Sequence, residues 1–185
     1  ILLGQISGGS LSLSGALSLS GFIGSGVVNA QSKTVLLNYN AQGDIDESNL
    51  LQLFQNIDTA VLTSGGIETI LSDLTAHYGT GGNIMKQLNA GTLSEASALD
   101  ISADIASIGF ADADVDAFLS LTQSGDLTET QIVDFMNQSA SGTIASSDAI
   151  SIMNTINSGT VSQSTYSNAL QLTLDGTIQA DHVSA

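Results

Sequence analysis

From Leu11 to Phe22 the chain reads LSLSGALSLSGF, with Leu11, Leu13, Leu17 and Leu19 at one parity and Ser12, Ser14, Ser18 and Ser20 at the other. A period of two predicts strand. Gly9, Gly15 and Gly21 recur every six residues through the same stretch. Glycine weakens a strand unless another backbone must come close, so this spacing suits stacked sheets. A left-handed β-helix would need many more coils than the roughly four hexads present, because each coil is held by its neighbours. A flexible Gly/Ser arm is the competing reading. The pattern therefore predicts a β-strand or hairpin arm over residues 1–32. An isolated hairpin is marginal in water, so its apolar face needs cover. Leu11, Leu13, Leu17, Leu19, Phe22 and Ile23 form the candidate assembly interface, with other copies of the chain as the expected cover.

Beyond the arm the period changes. Gly125, Gly142, Gly159 and Gly176 lie 17 residues apart, and Gly91 lies two such periods before Gly125. The missing member falls at Ile108, where Phe110 holds the apolar position, and an earlier copy starts at Gly43 out of register. Glycine suits the left-handed residue that stops a helix. Two residues on comes an apolar residue: Ile45, Leu93, Phe110, Leu127, Ile144, Val161 or Ile178. A capping residue often follows, as at Asp46, Ser94, Thr128 and Ser162, and Thr128 with Gln131 fits a capping box. Five residues after the first apolar position comes a second: Leu50, Ala98, Val115, Ile132, Ala149, Tyr166 or Val183. That pair has the spacing of a hydrophobic staple. Helices are expected near 47–62, 66–77, 82–89, 94–106, 112–123, 129–140, 146–157 and 163–173. Such short helices need tertiary packing, and the short connections favour antiparallel neighbours. The expected fold class is α+β, mainly α: a β-arm over 1–32, then a helical repeat domain over 33–185. The unit from Gly176 to Val183 is incomplete and leaves apolar residues in want of a partner.

Charge narrows the partners. Lys33 and Lys86 stand against 18 acids, for a net charge of −16, with no arginine. Nucleic-acid binding relies on basic side chains, so none is expected, and anionic membrane surfaces should repel the chain. Ser and Gly interrupt every apolar run, so no membrane insertion is expected. With Phe 5, Tyr 3 and Trp 0 the core must be aliphatic, and with Cys 0 there is no disulfide or thiolate site. A chain offering trypsin-like proteases two sites suits an extracellular or cell-surface setting. The start at Ile1 reads as a processed mature form or a fragment.

Candidate chemistry is sparse. Residues 38–46 read NYNAQGDID, with Asn38, Asn40, Gln42, Asp44 and Asp46 as oxygen donors around Gly43. This stretch resembles the calcium loop of EF-hand and dockerin modules, which implies calcium as its ligand. It departs in having neutral residues at Asn38, Asn40 and Gln42, and Asn49 where a bidentate carboxylate belongs. The preferred reading is that Gly43 and Ile45 are simply a helix stop and staple, with no cofactor. Asp112, Asp114 and Asp116 are read as a solvated helix start, since residues two apart do not share a helix face. His77 and His182 are isolated, with His77 near a helix end. Residues 79–86, GTGGNIMK, lack the order of a phosphate loop and are read as a flexible connector. Asn137-Gln-Ser139 is a glycosylation sequon inside an expected helix end.

No catalytic residues are expected. The sequence points to a secreted structural protein that assembles with copies of itself into a filament, sheath or surface layer through the β-arm, with a surface polysaccharide or glycan as a further partner. The alternative is a calcium-responsive helical binding module of a larger adhesin.

Overall fold

A computed structural model of the 185-residue chain describes residues 1–108, 110–125 and 127–145, together with 148, 151, 152, 155, 165 and 168. The repeats at Gly159 and Gly176, the staple residues Ala149, Val161, Tyr166, Ile178 and Val183, His182, and most of the helices expected over 146–157 and 163–173 lie outside the described residues.

Among the described residues the regular structure is entirely helical. Nine helices follow in order: α1 Leu2–Gly8, α2 Leu13–Ser25, α3 Ala30–Gln42, α4 Glu47–Asp58, α5 Ser64–Asp73, α6 Tyr78–Ala90, α7 Glu95–Ile108, α8 Asp112–Ser124 and α9 Glu129–Ala140. The expected α+β class and its N-terminal β-arm are thus corrected: residues 1–32 hold α1, α2 and the start of α3. The same residues satisfy a second period. Gly15, Ala16 and Leu19 of α2 are buried, and residues three and four apart share one helix face; Leu11 is buried just ahead of it. Ser12 caps α2 by accepting the Gly15 N–H at 3.0 Å. Leu11 and Ala16, on either side of that cap and both buried, have the staple spacing found later in the chain.

The staple positions are buried throughout the described repeats. Ile45 and Leu50, Leu93 and Ala98, Phe110 and Val115, and Leu127 and Ile132 are each under 5% exposed. Leu62 and Ile67 add a further pair, 17 residues after Ile45 and Leu50, and both are buried. The turn geometry explains why the first partner goes inward. At the end of α3, Gly43 takes φ 86°, the Gly43 N–H returns to Asn40 O, and the Asp44 and Ile45 N–H groups both return to Tyr39 O. The apolar residue is thereby tied beneath the helix that has just ended.

Helix ends shift from expectation where this turn forms elsewhere. The helix expected over 47–62 stops at Asp58. Ala60 takes the left-handed position at φ 57°, and the Val61 and Leu62 N–H groups return to Asn56 O. Helix α3, unassigned from the sequence, starts at Asn29, whose side chain accepts the Ser32 N–H at 2.9 Å.

The chain divides into two compact units, 1–103 and 104–185. The first unit takes in the N-terminal 32 residues. Helices two apart in sequence lie side by side: α2 packs on α4, α4 on α6, and α3 on α5, while α3 also meets α4 and α6. Phe22 of α2 stacks on Phe54 of α4 at 6.0 Å between ring centroids, and the Gln5 side-chain amide of α1 donates to Leu37 O of α3. In the second unit α8 packs on α9. Phe118 lies at the centre of three rings, 5.8 Å from Phe110 and 5.6 Å from Phe135.

Two substitutions test this backbone. Gly21 lies within α2, and a Cβ there would meet nothing within 4 Å. Gly21→Ala should raise the unfolding free energy by about 0.5–1 kcal/mol in urea titration, the helix-interior preference of alanine over glycine. No such gain is expected of a strand. Ala60→Gly should raise it by about 0.5–1 kcal/mol by relieving the left-handed alanine.

Candidate assembly surface

The surface that stands apart lies on α1 and α2. Ile1 is 68% exposed, Leu3 83%, and Leu13 and Leu17 66% each. Among the described residues only Val61, at 70%, joins them as an exposed large hydrophobic residue. A helix turns by about 100° per residue, so residues two apart point nearly opposite ways. The leucines that alternation would place together are therefore split. Leu11 and Leu19 are buried within the chain, which corrects the expectation that other copies cover them, while Leu13 and Leu17 face outward. Phe22 and Ile23 are half-buried. Beside Ile23, the first three helices form an open, shallow apolar groove of about 510 Å³ lined by Ile1, Leu2, Leu3, Ile23, Ala30, Lys33, Thr34 and Leu37. The Lys33 ammonium donates to Ile23 O at 2.8 Å.

No charged side chain occurs in residues 1–32, and the carboxylates nearest to them are held in place. Glu47, the first residue of α4, accepts the Ser12 N–H and the Ser12 hydroxyl, each at 2.6 Å. It thereby closes the N-terminus of α2 from another helix. Glu95, the first residue of α7, does the same for Thr63 at the start of α5, accepting its N–H at 2.7 Å and its hydroxyl. Glu68 of α5 accepts the Asn29 N–H at 2.7 Å. In an ordinary capping box the carboxylate or amide comes from the third residue of the same helix, as Thr128 and Gln131 show. Here that third residue is Gly15 or Gly66, and a Cβ at either would overlap the carboxylate of Glu47 or Glu95. Hydrogen bonds from the Ser12 side chain and backbone hold the Glu47 carboxyl below its ordinary pKa of 4.5.

The calcium-like stretch is otherwise occupied. Asn38, Asn40 and Gln42 lie on α3 rather than in a loop, where Asn38 and Gln42 share a face that Asn40 does not. Asn40 is buried and donates to Ile45 O at 3.1 Å. Asp46 is the cap of α4, accepting the Asn49 N–H at 2.7 Å. That bond is the main cause that lowers its pKa, with the Asn49 amide and Lys86 adding to it against a rise from burial. Asp44 packs against Gly82, and Tyr39 against Gly81. Residues 79–86 are thus not a connector: they lie in α6, whose Thr80, Gly81 and Gly82 are buried, and they receive the end of α3. Burial, with Tyr78 and Asp44 nearby, pushes the Tyr39 hydroxyl pKa up.

Asp112 and Asp114 lie in the first turn of α8, as a helix start requires. His77 immediately precedes α6 instead of closing a helix. The sequon residues Asn137 and Ser139 both lie on α9, with Ser139 buried. Among the described residues no group of three or more His, Asp or Glu is placed to hold a metal ion, and no helix is long and apolar enough to cross a membrane. Comparison with protein-family models, curated proteins and solved structures finds no match. Sequence reasoning missed Glu47 and Glu95 as partners of distant caps. The available signal was a cap followed by glycine, Ser12-x-x-Gly15 and Thr63-x-x-Gly66, where a glutamate was due.

The shared cap sets a pH dependence. A carboxyl whose folded pKa is lowered contributes stability above its unfolded value, and that contribution is lost as pH falls through the folded value. Glu47→Gln should cost about 1 kcal/mol near pH 7, the worth of a cap. The gap between variant and wild type in denaturant titrations should hold down to about pH 4.5 and close below it.

Proposed function

We propose that this chain is a structural subunit that associates with copies of itself, outside the cell or at its surface, through the outer face of α1 and α2. The observation behind this reading is the exposure of Ile1, Leu3, Leu13 and Leu17 within a stretch that carries no charged side chain. Exposed aliphatic residues concentrated in one uncharged stretch of the chain are candidates for a contact surface. Charge argues for a second copy as the partner. Two molecules of net charge −16 repel most where acids face acids, and less where one of them presents the uncharged N-terminal helices. Such a subunit suits a filament, sheath or layer, held by packed helix faces. Salt favours the assembly by screening the remaining repulsion.

Sedimentation velocity over a range of salt concentrations tests the reading. The wild type should associate more strongly as salt rises. The double variant Leu13→Ser, Leu17→Ser should associate about tenfold or more weakly, as expected for losing buried leucine surface, while its thermal midpoint stays close to that of the wild type. A wild type that remains monomeric at high salt and high protein concentration overturns the proposal.

A further inference from the structure

The turn after α4 breaks three local rules within four residues. Asp58 closes the helix with a carboxylate, at the end where the dipole favours a cation. Ala60 is the one described non-glycine residue at positive φ; Gly9, Gly26, Gly43, Gly91, Gly125 and Gly142 hold that conformation elsewhere. Val61 is 70% exposed, whereas Leu62 beside it is 6% exposed. Local rules broken together are what a functional position leaves behind.

A complementary surface lies on the same unit. The groove lined by Leu2, Leu3, Ile23 and Leu37 has Lys33 at its side. Lys33 is one of only two lysines in the chain. An ammonium carries three donors, and the bond to Ile23 O uses one. An apolar groove with a cation at its side matches an apolar tip that carries an acid.

We propose that the Asp58–Val61 turn of one copy seats in this groove of another, with Val61 against Leu2, Leu3, Ile23 and Leu37 and with Asp58 on Lys33. The proposal rests on the self-association reading above and names the second half of that contact. A lysine at position 58 suits the helix end, so Asp58→Lys keeps the fold while removing the pair.

The test is sedimentation equilibrium of the full chain, with a thermal melt of every variant. Asp58→Lys and Val61→Ser should each weaken association about tenfold without lowering the melting temperature. Lys33→Asp should weaken it similarly, and an equimolar mixture of Asp58→Lys with Lys33→Asp should recover wild-type association, because opposite charges then meet across every contact. If Lys33→Asp fails to fold, Asp58→Lys and Val61→Ser decide the matter. If the wild type associates and both of those variants associate equally well, this contact is wrong while self-association stands. If the wild type does not associate at all, the self-association reading itself falls.

Discussion

The carbonyls of Gln5, Tyr39, Asn56 and Gln138 each accept two amides from the turn that follows, and the second amide always belongs to a buried aliphatic residue: Leu11, Ile45, Leu62 or Ile144. That double acceptance makes the end of one helix and the start of the next a single event. The aliphatic residue is pinned under the finished helix, and where Leu11, Ile45 and Leu62 are pinned, the next residue caps the new helix. Helices of 7 to 14 residues are too short to persist alone in water. Fixing both ends at these turns helps a string of them hold together with so few aromatic side chains.

Much of this was legible because it is local. The pair spaced five residues apart, the glycine before it and the cap within it all fall inside one short window, and burial at Ile45, Leu50, Leu127 and Ile132 follows from that window alone. The N-terminal misreading has an equally local cause. Leu alternating with Ser satisfies a period of two, yet Gly15, Ala16 and Leu19 satisfy a helix as well, and nothing in twelve residues separates the two. The deciding contacts come from α4, through Glu47 and Phe54. The calcium-like stretch carries the same kind of ambiguity. A glycine followed by an aliphatic residue two places on belongs to both motifs. The choice depends on Gly81 and Gly82, some 40 residues away in the chain.

A chain with two basic residues and 18 acids cannot stabilise itself by ion pairing. It uses carboxylates instead as acceptors for the unpaired amides and hydroxyls at helix starts, at Ser12, Asn29 and Thr63. Each such bond also places a negative charge at the positive end of a helix. In the proposed assembly, the acids that remain would keep most of the surface apart from other copies and leave the uncharged N-terminal helices as the place where contact costs least.

Borrowing a cap from two helices further on also imposes an order in time. As the chain leaves the ribosome, the amide of Ser12 has no carboxylate to receive it until Glu47 has been made, and Thr63 waits in the same way for Glu95. Each of these helix starts is finished only when the helix two further on arrives. The growing end of the nascent chain is therefore always its least settled part, and order spreads behind it as a lagging front.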